Sequence, residues 1–91
     1  MSFKFCVYIL ESLASGRFYI GSSADPQARL VSHNRGHTRS TRAHAPWKLM
    51  WTKVFDTRAE AVRYERYLKS LKSRRTLQSL INEEPVTPLP E

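Results

Sequence analysis

The run Cys6-Val7-Tyr8-Ile9-Leu10, the segment Glu11-Ser12-Leu13-Ala14-Ser15-Gly16 and the run Arg17-Phe18-Tyr19-Ile20-Gly21 together decide the fold. Two short runs rich in β-branched and aromatic residues flank a polar segment that ends in glycine, the pattern of two strands joined by a loop. If Glu11 faces Gly16, Tyr8 stands opposite Tyr19 and Cys6 opposite Gly21, because partner numbers in an antiparallel pair sum to a constant. Both phenols then point to one face. Phe5, Val7, Ile9, Phe18 and Ile20 fall on the other, an apolar surface that has to be buried. Paired tyrosines are also good cross-strand neighbours, so the pair alone does not specify chemistry.

Beyond the hairpin, Asp25-Pro26 reads as an N-cap and first helical position. The helix should run to about Asn34, with Gly36 supplying its left-handed stop. Arg29 and His33, four apart, share a face of this helix. Residues 35–46 have no apolar periodicity and read as a basic loop carrying Arg35, His37, Arg39 and Arg42. Trp47 to Phe55 is a third strand, with Trp47, Leu49, Trp51 and Phe55 at alternate positions. Thr57 and Glu60 form a capping box for a second helix that runs to Leu71 or Lys72, and Ser73 opens a third through Ile81. The expected fold is α+β, a small three-stranded antiparallel sheet flanked by helices in the order β-β-α-β-α-α. Residues 1–83 form the domain and 84–91, rich in proline, a disordered tail.

Ninety-one residues with 41% hydrophobic content suffice for one modest core. The single cysteine, Cys6, cannot form an internal disulfide, and no apolar run is long enough to span a membrane, so a cytoplasmic protein is expected. Charge says more. All 15 Lys and Arg lie in residues 1–75 beside only five acids, a net +10, which favours nucleic acid as partner over a membrane surface. Arg63, Arg66 and Lys69, on the face of the second helix next to its apolar stripe, join the loop cations as candidate phosphate contacts.

Sorting the acids narrows the chemistry. Asp25 and Glu60 are accounted for as caps, Asp56 stands beside one, and Glu11 sits in a loop. Glu65 is spaced three or four residues from Ala61, Val62 and Leu68, which places a carboxylate on the inward stripe with no structural task. One such acid suits a single hard cation completed by waters and substrate oxygens; a two-ion site would need several. Histidines at 33, 37 and 44 with one cysteine give no zinc pattern.

Cys6-Val7-Tyr8 and Tyr19-Ile20-Gly21, followed by Arg29, His33 and Glu65 at these intervals, resemble the GIY-YIG nuclease superfamily. The likeness is to its short single-domain bacterial members, similar to the incision domain of the repair nuclease UvrC, and covers about Phe3 to Ile81. Cys6 stands where the first half-motif has glycine. The resemblance implies an endonuclease that hydrolyses phosphodiester bonds in nucleic acid, DNA ahead of RNA, with little sequence specificity and one Mg²⁺ or Mn²⁺ bound by Glu65. It further implies Tyr8 as general base or activator of water, Tyr19 orienting water or phosphate, Arg29 offsetting phosphorane charge, and Gly21 permitting close backbone approach. His33 matches a position near the water, and Asn34 follows it in the short members. A phenol of pKa ~10 is a poor base at neutral pH, so His33, near ~6.5, is a rival for that role. The alternative function is a nucleic-acid-binding domain of the same fold with little or no catalysis. The oligomeric state is open between a monomer and a weak homodimer.

Overall fold

The computed structural model describes residues 4–83; the expected proline-rich tail lies outside the described residues. The elements are β1 (Phe5–Ser12), β2 (Phe18–Ser23), α1 (Pro26–Asn34), α2 (Arg39–Arg42), β3 (Trp47–Phe55), α3 (Arg58–Leu71) and α4 (Arg74–Glu83). The sheet is antiparallel in the order β2-β1-β3. No helix among the described residues is long and apolar enough to cross a membrane.

The central strand explains the layering. Val7, Tyr8, Ile9 and Leu10 are all buried, because β1 is covered on both faces and therefore reads as an unbroken apolar run. On one face Val7, Ile9, Ile20 and Trp51 pack with Ala61 and Leu68 of α3 and with Leu77 and Ile81 of α4. On the other, Tyr8, Leu10 and Trp47 pack with Tyr19 and with Leu30 of α1. The caps follow the sequence. Asp25 accepts from the Ala28 amide at 3.1 Å, Thr57 from Glu60 at 3.2 Å, and Ser73 from Thr76 at 3.2 Å. Lys72, in the left-handed region at φ 49°, ends α3.

Three expectations are corrected. Tyr8 faces Gly21 instead of Tyr19, and Cys6 faces Ser23. The strands continue to a Ser12–Arg17 closure, where the Ser12 amide donates to the Arg17 carbonyl at 2.8 Å and the Ser12 hydroxyl accepts from Ala14 and Ser15. That moves the register by two, which leaves every side chain on its expected face. Second, β3 carries a bulge. Ile9 pairs with Trp51 and Leu10 with Leu49, so Met50 is the extra residue. The alternate residues Trp47, Leu49, Trp51 and Phe55 therefore do not share a face: Trp47 and Leu49 join Tyr8, and Trp51 and Phe55 join the core under α3. Third, the basic loop contains the one-turn helix α2, whose Thr41 is buried.

Candidate active site

The site is built on the face of β1 and β2 that α1 covers. Tyr8 and Tyr19, diagonal neighbours in the observed register, hold their rings 6.4 Å apart at 37°. Gly21 makes this possible. A Cβ there would lie 2.5 Å from the Tyr8 hydroxyl oxygen and 2.6 Å from Cζ, so the end of the phenol rests on bare backbone. The close approach expected at Gly21 is made by the protein's own tyrosine.

Helix α1 delivers the nitrogen groups. His33 is fully buried, with its ring edge-on to Tyr19 at 4.8 Å. Its Nε2 lies 3.4 Å from the Tyr8 hydroxyl and its Nδ1 2.8 Å from Thr41 Oγ1. Burial holds the imidazole below its ordinary pKa, and the nearby Arg29 charge pushes in the same direction, so His33 is neutral at neutral pH. Burial raises the Tyr8 phenol above its usual value. The nearby Arg29 guanidinium works against that rise without cancelling it, while Tyr19 and Glu65 add to it. The resting state is a protonated phenol beside a neutral imidazole.

Glu65 approaches from α3, on the opposite face of the sheet, and meets the site at the edge strand β2. Ser22, next to Gly21, donates to its Oε1 at 2.6 Å, and Lys69 Nζ donates to Oε2 at 2.6 Å. Its side chain is 17% exposed. Burial alone would raise this carboxyl, but the hydrogen bonds from Lys69 and Ser22, with the charges of Lys69 and Arg66, hold it below the ordinary carboxylate range. The sequence placed Glu65 inward without a partner; the structure gives it two. It is charged, and its negative charge adds to the rise of the Tyr8 phenol.

As a cation site the donors are oxygens only, the Glu65 carboxylate with the Ser22 hydroxyl beside it. Among the described residues no cluster of three His, Cys, Asp or Glu is present. Such a set fits an ion like Mg²⁺, which binds one or two carboxylates and keeps waters and substrate phosphates for the remaining positions.

The other sequence candidates divide. Arg35, His37, Arg39 and Arg42 are exposed beyond α1 and on α2, with His37 Nδ1 3.1 Å from the Ser32 hydroxyl. Arg63 and Arg66, with Arg58, line an open groove along α3, while Lys69 is engaged with Glu65. Asn34, at the exposed end of α1, uses its side chain to accept from the Trp47 amide at 2.6 Å and donate to the Trp47 carbonyl at 3.1 Å, tying α1 to β3. Sequence reasoning missed Ser22 and Thr41. A serine one residue past Gly21 was a usable signal for the first; a threonine in an aperiodic segment gave none for the second.

The GIY-YIG catalytic domain family matches residues 4–78. A UPF0213 protein of Halobacterium salinarum is 38% identical over 66 residues, covering 71% of this chain and 84% of that protein. The structure-specific endonuclease subunit SLX1 of Meyerozyma guilliermondii is 42% identical over 76 residues, which span 76% of this chain and 26% of that larger protein. The solution NMR structure of a UPF0213 protein from Bacillus halodurans superposes with a TM-score of 0.55 at 34% identity, covering 87% of this chain and 83% of that one.

Proposed function

The chain belongs to the GIY-YIG catalytic domain family, a nuclease family, and from that premise we propose that it is a divalent-metal-dependent endonuclease that hydrolyses phosphodiester bonds in DNA with little sequence preference. The observation that carries the proposal is the meeting of Tyr8, Tyr19, His33 and Arg29 at the strand edge where Ser22 holds Glu65. The name of the Meyerozyma guilliermondii relative, a structure-specific endonuclease subunit, supports a substrate chosen by structure over sequence.

Glu65, with Ser22 beside it, would hold one Mg²⁺ or Mn²⁺, which supplies Lewis acidity at the phosphate. The chain's own residues handle the proton and the charge. A phenol that keeps its proton at rest serves better as a relay than as a permanent phenolate. The attacking water gives a proton to Tyr8 as the Tyr8 proton passes to His33 Nε2, so imidazolium forms and no free phenolate is required. The departing sugar oxygen takes its proton from solvent. Arg29 offsets negative charge on the phosphorane, and Tyr19, packed against His33, orients water or phosphate.

The test is plasmid, branched and single-stranded DNA, with parallel RNA substrates, incubated with Mg²⁺ or with chelator. Metal-dependent nicking that disappears in Glu65→Gln while nucleic-acid binding stays within about twofold is the expected result. Full activity in Glu65→Gln, or binding without any nicking by the native chain, would overturn it.

A further inference from the structure

Thr41 has no part in the mechanism above, yet it is 1% exposed in a segment whose neighbours Ser40 and Arg42 face solvent. Its hydroxyl touches two groups, His33 Nδ1 at 2.8 Å and the Thr38 carbonyl at 3.3 Å. The proton positions in this chain are set by the second of these contacts. A carbonyl can only accept, so the Thr41 hydroxyl gives its single proton to the Thr38 oxygen, and Oγ1 is left as the acceptor toward His33. Nδ1 is then the donor, and a neutral imidazole that carries its one proton on Nδ1 has Nε2 bare. The bare Nε2 accepts from the Tyr8 hydroxyl, so every proton in the chain has one donor and one acceptor. In the opposite sense the Thr41 proton would go to Nδ1, and the Thr38 carbonyl would lose its bond from the hydroxyl.

We propose that Thr41 is the positioning residue that fixes His33 as the Nδ1–H tautomer and so leaves Nε2 open toward Tyr8. The tautomer assignment stands on the hydrogen-bond geometry; its effect on cleavage rests on the nuclease function proposed above. The local architecture holds Thr41 for this task. Its carbonyl accepts from Trp47 Nε1 at 2.9 Å, and the Trp47 backbone is clamped on both sides by Asn34. The turn of helix α2 and the indole therefore set the height of one hydroxyl against one ring nitrogen.

The experiment is long-range ¹H–¹⁵N correlation NMR of His33 in the ¹⁵N-labelled full chain at a pH where the ring is neutral, together with cleavage assays. Three proteins are compared: native, Thr41→Ser, and Thr41→Val, which keeps the shape and loses the hydroxyl. Native and Thr41→Ser should show the Nδ1–H form. Thr41→Val should shift toward Nε2–H and cleave about tenfold more slowly, the factor that loss of one ordinary hydrogen bond corresponds to, with the Trp47 indole signal reporting an intact fold. An Nε2–H ring in the native chain overturns the proposal even if Thr41→Val does not fold, and so does a folded Thr41→Val that keeps the Nδ1–H form. A tautomer that responds as expected in a chain that nicks nothing supports the role of Thr41 and sinks the nuclease function.

Discussion

At Gly21 a single hydrogen atom decides whether Tyr8 can lie across β2. Gly21→Ala places a methyl carbon 2.5 Å from the phenol oxygen, so either the ring or the strand must move. Overpacking of this kind costs about 1–3 kcal/mol. Urea denaturation should show a loss of that size, together with a fall in nicking larger than the stability loss explains, since the displaced group is the hydroxyl itself. The buried titratable groups set the pH behaviour. The folded-state pKa of His33 is lowered, so its contribution is complete above its unfolded value of about 6.5. As pH falls below that value, the unfolded chain takes up the proton more readily and stability is lost until the folded value is passed. Glu65, also lowered, adds a second loss below about 4.5. Denaturation midpoints measured from pH 8 to pH 3 should therefore decline in two windows, and His33→Gln should flatten the upper one alone. Period-two spacing in the sequence was enough to place Tyr8 and Tyr19 on one face. It could not say which residue faces which, because a shift of two residues changes the partners and preserves the faces.

Among the elements, α1 carries the heaviest duty, since it presents Arg29 and His33 one turn apart and ties to β3 through Asn34. Its first turn depends on Asp25, so Asp25→Ala should cost about 1 kcal/mol. In a domain of this size that lowers Tm by roughly 4–8 °C; a scanning calorimetry shift under about 2 °C would argue that Pro26 sets the turn unaided. The helix ends could be read from the chain because capping is local: Asp25-Pro26, Thr57 with Glu60, and Ser73 each act within four residues. Helix α2 and the Met50 bulge could not. Their causes are packing contacts, Trp47 reaching back six residues to Thr41 and Ile9 pairing with the far strand at Trp51, and no periodicity of the sequence encodes them.

Across the whole molecule, positive charge is distributed on two sides of the site. Arg35, Arg39 and Arg42 stand on the side of α1 and α2, and Arg58, Arg63 and Arg66 along α3. Binding that proceeds through phosphates should weaken linearly in log–log plots against salt, by about 0.9 in slope per contact. Arg39→Ala combined with Arg42→Ala should reduce that slope by roughly 2 on any DNA sequence. A change confined to one sequence would mean base recognition instead. The net +10 of residues 1–75 was legible at once; its division between two surfaces needed the fold. Because β1 is the central strand, covered on both faces, and carries Tyr8 in its middle, its amides around Tyr8 should exchange with deuterium only when the entire domain opens. The Tyr8 hydroxyl is then expected to share the global unfolding equilibrium of the domain, and heat should take away structure and nicking in a single step.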